Sequence, residues 1–137
     1  MKMRFLDSNV LVYYVDPRDP SKQSKAEDIL ESALNGDSVC VISVQTLAEF
    51  TNVSLRKLKL PLKTIKQYVE VFSQLPVISP EAGFITRALA VKERYEIQFY
   101  DAMMVAAAER AGCDEFLTED LNDGQMYGNV KAVNPFK

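Results

Sequence analysis

Short apolar runs that end on cap-forming polar residues alternate along this chain with longer stretches whose apolar positions recur at helical spacing. Residues 3–6 are apolar or long-chained and run into Asp7-Ser8-Asn9, so the pattern predicts a buried strand feeding a helix that begins with Val10–Val15. A turn cluster at 16–21 follows, then a second helix over 22–34 that stops at Asn35-Gly36. The β-branched run 39–42 predicts a second buried strand, and a helix over about 44–58 follows it with Val44, Leu47, Ala48, Thr51, Leu55 and Leu58 as its inward stripe. Pro61 and Pro76 bracket a further helix over 62–75, and Val77-Ile78 reads as a short strand. Ser79-Pro80-Glu81 offers a cap, a proline at the first helical position and an early acid, predicting a helix that starts there and reaches about Arg94. The last helix spans about 100–111 and closes at Gly112, before strands at 115–118 and 130–133 separated by a glycine-containing loop. Strands alternating with helices in this order predict a three-layer α/β/α sandwich with a central parallel sheet of four to five strands, in a single domain over 1–137.

In such sheets ligands gather at the carboxyl ends of the strands, which draws attention to Asp7 and Asp120. Taken singly, each is more often a cap or turn residue than a ligand. Asp101 opens a helix whose next residues, 102–108, are apolar on every face, so the helix is expected in the core with a carboxylate at its mouth. The helix dipole alone accounts for an acid there as readily as a functional role does. Glu49 lies off its helix's predicted inward stripe, on a polar face with Gln45, Asn52 and Arg56. Ordinary solvent exposure explains any one of these, while convergence would bring Glu49 to the rim of the strand-end crevice with Asn52 and Arg56 reaching toward a ligand.

Composition then removes whole classes of chemistry. There is no histidine among the 137 residues, which excludes Ser-His-Asp, Cys-His and histidine-zinc mechanisms together. Cys40 and Cys113 lack metal-ligand spacing and read as buried free thiols. No apolar run approaches a membrane span or a signal-peptide core, so the chain is expected to be cytoplasmic. A net charge of −3 argues against simple electrostatic coating of nucleic acid. Between Phe50 and Val69, however, there is no acid and five bases, Arg56, Lys57, Lys59, Lys63 and Lys66. That run is either a solvated helix end or a contact surface for phosphates or an acidic partner, with Arg56, Lys57 and Lys59 as its first candidates.

If the four acids converge, their repulsion has to be answered: two like charges about 4 Å apart cost on the order of 4 kcal/mol at an effective dielectric near 20. Protons or a divalent cation can do this, and an all-oxygen set without imidazole or thiolate suits Mg2+, or alternatively Mn2+. A metal-activated water could then hydrolyse a phosphodiester with no protein nucleophile. Rival strand-end chemistries fare worse. A haloacid-dehalogenase phosphatase needs a second aspartate where Asn9 stands, and the five glycines form neither a Walker loop nor a dinucleotide fingerprint.

Four segments resemble the signature segments of PIN domains, in order: Phe5-Leu6-Asp7-Ser8-Asn9-Val10-Leu11-Val12-Tyr13, Gln45-Thr46-Leu47-Ala48-Glu49-Phe50, Tyr100-Asp101-Ala102-Met103-Met104 with the alanine-rich stretch after it, and Leu117-Thr118-Glu119-Asp120-Leu121. Their separation is similar to that of VapC-type toxins of toxin–antitoxin pairs. The resemblance implies a Mg2+-dependent endoribonuclease with Asp7, Glu49, Asp101 and Asp120 as catalytic metal ligands and Asn9 and Thr118 in support, to which the polar face of the Glu49 helix adds Asn52. It further implies a homodimer, an RNA substrate and a cognate antitoxin that inserts into the crevice. Ser8 stands where the family often has threonine, and Glu119 and Asp123 lie near enough to Asp120 to compete for the fourth ligand position. The rival implication of the same fold is a silent module that binds RNA or protein without cutting.

Overall fold

The computed structural model describes residues 2–137. In chain order it contains β1 (Met3–Leu6), α1 (Ser8–Val15), α2 (Pro20–Leu34), β2 (Val39–Ser43), α3 (Val44–Arg56), α4 (Leu62–Phe72), β3 (Val77–Ile78), α5 (Ala82–Tyr95), α6 (Phe99–Arg110), β4 (Glu115–Leu117), β5 (Met126–Tyr127) and β6 (Val130–Val133). The strands form one sheet in the order β3-β2-β1-β4-β6-β5. The first five in that order are mutually parallel, and β5 joins β6 antiparallel at the edge.

Alternation of side chains along each strand divides the core between the two faces. Phe5, Val41, Phe116 and Ala132 point to one face, where they meet Phe84, Ala88 and Val91 of α5 and the buried run of α6. Leu6, Cys40, Ile42 and Leu117 point to the other, under Val10 and Leu11 of α1, Ala26 and Leu30 of α2, Phe50 of α3 and Phe72 of α4. This is the expected three-layer sandwich. Both cysteines are buried and free, and burial pushes the Cys113 thiol up to about 12.

Topology explains where a ligand would sit. From β1 the chain steps outward to β2 and β3, then returns to the opposite side of β1 to lay down β4 and β6. The reversal lies between β1 and β4, whose ends are level, with Leu6 paired to Leu117. Beyond that point the following segments diverge and leave a crevice.

Three local expectations fail. The helix expected to begin at Pro80 under a Ser79 cap starts at Ala82, with Glu81 at its cap and no capping side chain. Ser79 and Pro80 instead carry the chain away from β3, which the β2 ladder holds extended through Ile42–Val77 and Ser43–Ile78. The glycine-containing loop before the last strand holds a sixth strand, β5, whose two residues were too few for a periodic signal. It folds back on β6 through Gly128, at φ 62°.

The third failure concerns α3. Its buried residues are Thr46, Phe50 and Ser54, while Val44 and Leu55 of the expected stripe are 41% and 43% exposed and Ala48 is also exposed. Thr46 turns inward because its hydroxyl has work there. It completes a capping box with Ser43 and donates to the Leu6 carbonyl at 3.2 Å. That bond ties α3 to the end of β1 and sets the helix rotation, leaving Leu47 and Thr51 half-buried at the flank. Phe50→Ala is therefore expected to cost about 3–5 kcal/mol in denaturant unfolding, while Leu55→Gln should shift stability by less than about 1 kcal/mol. Equal losses from the two substitutions would contradict this helix orientation.

Candidate metal centre at the strand ends

Asp7 follows β1 directly and caps α1, its Oδ1 accepting the Ser8 backbone N–H at 2.7 Å. It is 3% exposed. From the neighbouring strand end, Thr118 donates its hydroxyl to Asp7 Oδ2 at 2.6 Å and accepts the Asp120 backbone N–H at 3.1 Å. One fully buried threonine thus couples the two acids that flank the topological reversal. Asp101 enters from the first turn of α6, half-buried, where the helix dipole favours a carboxylate. The carboxylates of Asp7, Asp101 and Asp120 each offer an oxygen within 4.8 Å of the others.

Glu49 stands one hydrogen-bonded step from this trio. Ser8 Oγ lies 3.0 Å from Glu49 Oε1 and 3.3 Å from Asp7 Oδ1, bridging the two acids. The other Glu49 oxygen accepts from Gln45 Nε2 at 2.9 Å, and the same amide donates to the Tyr100 carbonyl at 2.9 Å. Gln45 thereby pins α3 to the mouth of α6 beside Asp101. Asn9 donates to Asp120 Oδ2 at 3.3 Å, while its own Oδ1 is buried without a partner. Asp101 and Asp120 also line a cleft of about 530 Å³ with Glu96, Ile97, Gln98 and Leu121.

The four acids meet in one crevice without an ion-pair partner. Glu81, Glu109, Glu115, Glu119, Asp16 and Asp123 all form ion pairs with lysine or arginine, but among the described residues no cation pairs Asp7, Glu49, Asp101 or Asp120. Burial first, then the charges of Asp120 and Glu49, push Asp7 up to about 7 against the lowering effect of its Thr118 and Ser8 hydrogen bonds. Burial and the same two charges push Asp101 up to about 6. Convergent, uncompensated oxygens of this kind fit a hard divalent cation.

The two competitors for the fourth ligand position are engaged elsewhere. Glu119 accepts from Tyr13 Oη at 2.6 Å and pairs with Lys22 at 3.0 Å. Asp123 accepts the Asn134 backbone N–H at 2.8 Å and pairs with Lys137. Arg56, Lys57 and Lys59 are exposed at the far end of α3 and just beyond it, with Asn52 between them and Glu49.

A family model described as the PIN domain matches residues 4–125. The chain belongs to the PIN-domain family. Solved structures agree with this PIN fold. A toxin–antitoxin complex from Klebsiella pneumoniae aligns at a TM-score of 0.72 and 20% identity, covering 96% of this chain and 97% of that one. VapC20 from Mycobacterium tuberculosis, described as a Sarcin-Ricin loop cleaving toxin, aligns at 0.66 and 16% identity over 93% and 98%. DNA-bound VapBC from Salmonella typhimurium aligns at 0.67 and 18% identity over 96% and 97%. A search of curated proteins finds no match.

Two residues of this PIN domain's crevice escaped the sequence reading. Ser8 stands out in the sequence only as a departure from threonine, whereas its hydroxyl is the bridge between Asp7 and Glu49. Gln45 was noted only as a polar neighbour of Glu49. Its spacing four residues before Glu49 was the available signal, but the link to the Tyr100 carbonyl is long-range and invisible to periodicity.

Because the folded-state pKa values of Asp7 and Asp101 lie above their ordinary value, protonation favours the folded chain. Their unfavourable contribution is absent below about pH 4 and grows as pH rises through about 6 to 7. Chelator-treated protein is therefore expected to melt lower at pH 8 than at pH 5. Asp101→Asn should recover part of that loss and reduce the stabilisation gained from added divalent cation. An unchanged pH slope in Asp101→Asn would show that the carboxylates do not oppose one another.

Proposed function

We propose that this PIN domain is a Mg2+-dependent endoribonuclease and the toxin of a type II toxin–antitoxin pair. The observation that carries the proposal is the convergence of Asp7, Asp101 and Asp120 within 4.8 Å, unopposed by any side-chain cation. In this reading Asp7, Glu49, Asp101 and Asp120 hold Mg2+, with Mn2+ as a substitute. When bound, the ion polarises the phosphoryl group, activates water and offsets charge that develops during in-line hydrolysis.

The chain's own residues supply the rest. Thr118 and Ser8 hold both oxygens of Asp7, so its carboxylate is oriented before any ligand arrives. Ser8 and Gln45 do the same for Glu49. Asn9 orients Asp120 and keeps a free carbonyl oxygen at the site, available to a water or a substrate hydroxyl. Arg56, Lys57 and Lys59 receive the RNA backbone or acidic groups of the antitoxin. The structural relatives described as a toxin–antitoxin complex and as a Sarcin-Ricin loop cleaving toxin favour this assignment over a silent binding module. A homodimer working in the cytoplasm completes the proposal. Among the described residues, no helix is long and apolar enough to cross a membrane.

Purified protein, freed of any partner, is expected to cleave RNA with Mg2+ or Mn2+ and to stop on chelation. Asp7→Asn and Asp101→Asn should each lose cleavage while circular dichroism reports an intact fold. Cleavage that persists in chelator, or in either variant, would overturn the assignment.

The basic residues make a separate test. Arg56→Ala and Lys59→Ala are each expected to weaken RNA binding and to lower the salt slope by about 0.7 per lost phosphate contact, with little change in melting temperature. A slope identical to wild type would remove these residues from the substrate path.

A further inference from the structure

We propose that Tyr100 is the platform of a nucleobase-stacking subsite beside the carboxylate cluster, with the amides of Gln45 and Asn52 at its edge, and that it seats one unpaired base of single-stranded RNA. This rests on the nuclease reading and names how that site grips its substrate. Thirteen aromatic rings occur in the chain, and Tyr100, at 64%, is the only one in the exposed class among the described residues. It immediately precedes Asp101. Phe99 meets the ring edge-on at 5.3 Å, and the Tyr100 carbonyl is fixed by Gln45, so the ring is held out from a rigid helix end. Such a ring offers a large flat surface with few torsions left to freeze on binding.

Tyr100 lines an open groove of about 360 Å³ with Gln45, Ala48, Glu49 and Asn52. Apart from the ring, its only apolar side chain is Ala48, too little to anchor a hydrophobic peptide. Glu49 in the same groove repels a bare phosphate but tolerates an uncharged base. The exposed Asn52 side chain makes no hydrogen bond among the described residues, leaving a donor and an acceptor free for a base edge. Unpaired bases are recognised in just this combination, a π-face on an aromatic ring and polar groups at the base edge.

The backbone of the same strand has somewhere to go. Asn52 also borders the adjoining hollow formed with Val53, Arg56 and Lys57. Glu49 and Arg56 are seven residues apart on α3, about 10 Å along its axis. A strand whose base stacks on Tyr100 can therefore present one phosphate to the carboxylate cluster and a neighbouring one to Arg56 or Lys57.

The test is binding of a short fluorescent single-stranded oligoribonucleotide in chelator at low salt, where cleavage does not interfere. Tyr100→Ala is expected to weaken binding by about 5- to 150-fold, and Tyr100→Phe to bind like wild type. An abasic residue at one position of the oligonucleotide should weaken wild type by a similar factor and Tyr100→Ala no further. The chain has no tryptophan, so Tyr100→Trp supplies a single indole whose emission should change with the intact oligonucleotide and not with that abasic one. Binding by folded Tyr100→Ala equal to wild type would overturn the subsite and leave the ring to a protein partner. So would abasic penalties that stay the same in Tyr100→Ala. If the abasic coupling is found but wild type fails to cut RNA in Mg2+, the subsite stands and the nuclease reading falls. If wild type cuts and the coupling is missing, the reverse holds.

Discussion

Burial of carboxylates, compounded by their mutual repulsion, at the carboxyl edge of the sheet is the constraint that organises this molecule's crevice. Asp7 is nearly inaccessible to solvent, Asp101 is half-buried, and neither has a lysine or arginine to answer it. Holding Asp7 ionised at pH 8 with its pKa at about 7 costs on the order of 4 kcal/mol, a sizeable share of the stability of a domain this size. A fold selected for stability alone would place a base there, as it does at Glu115, Glu119 and Glu109. Leaving the acids unpaired makes the crevice an unsatisfied electrostatic well of the kind a cation could fill.

The rest of the framework keeps that well in shape. Parallel pairing of β1 with β4 delivers Asp7 and Thr118 to the same level, and the Asp7 backbone N–H bonds to the Leu117 carbonyl at 3.1 Å. Thr46 ties α3 to the end of β1, and Gln45, one residue earlier, ties α3 to the start of α6. Three separate segments are thus bolted together by single side-chain hydrogen bonds within one turn of the acids. The carboxylates cannot relax apart without breaking these bonds, of which the Thr46 bond is buried and the Gln45 bond exposed, which is the physical meaning of preorganisation here.

Much of this was legible from local pattern. Strand and helix order, the buried character of α6, both free cysteines and the strand-end positions of Asp7 and Asp120 all follow from periodicity and cap chemistry, because those signals lie within a few residues of one another. Where a distant partner outvoted local preference, the pattern misled. Thr46 outranked Val44 and Ala48 for the inward face of α3 because a hydroxyl that satisfies the Leu6 carbonyl is worth more inside than a small apolar side chain. The Ser79-Pro80-Glu81 start signal lost to the β2–β3 ladder for a related reason.

Residue type and order alone set the inventory: an all-oxygen set of acids without histidine, on elements whose hydrophobic period demanded a two-faced parallel sheet. It also carried the four PIN-like segments, since these are runs of adjacent residues. Which acids meet was settled by the folded arrangement of the strands and helices. It joined Asp7, Asp101 and Asp120 directly, set Glu49 one serine away, and committed Glu119 and Asp123 to cations and backbone elsewhere. Side-chain type and spacing along a chain are local quantities, whereas electrostatic convergence depends on distances across more than a hundred residues, and those exist only once the strands have paired.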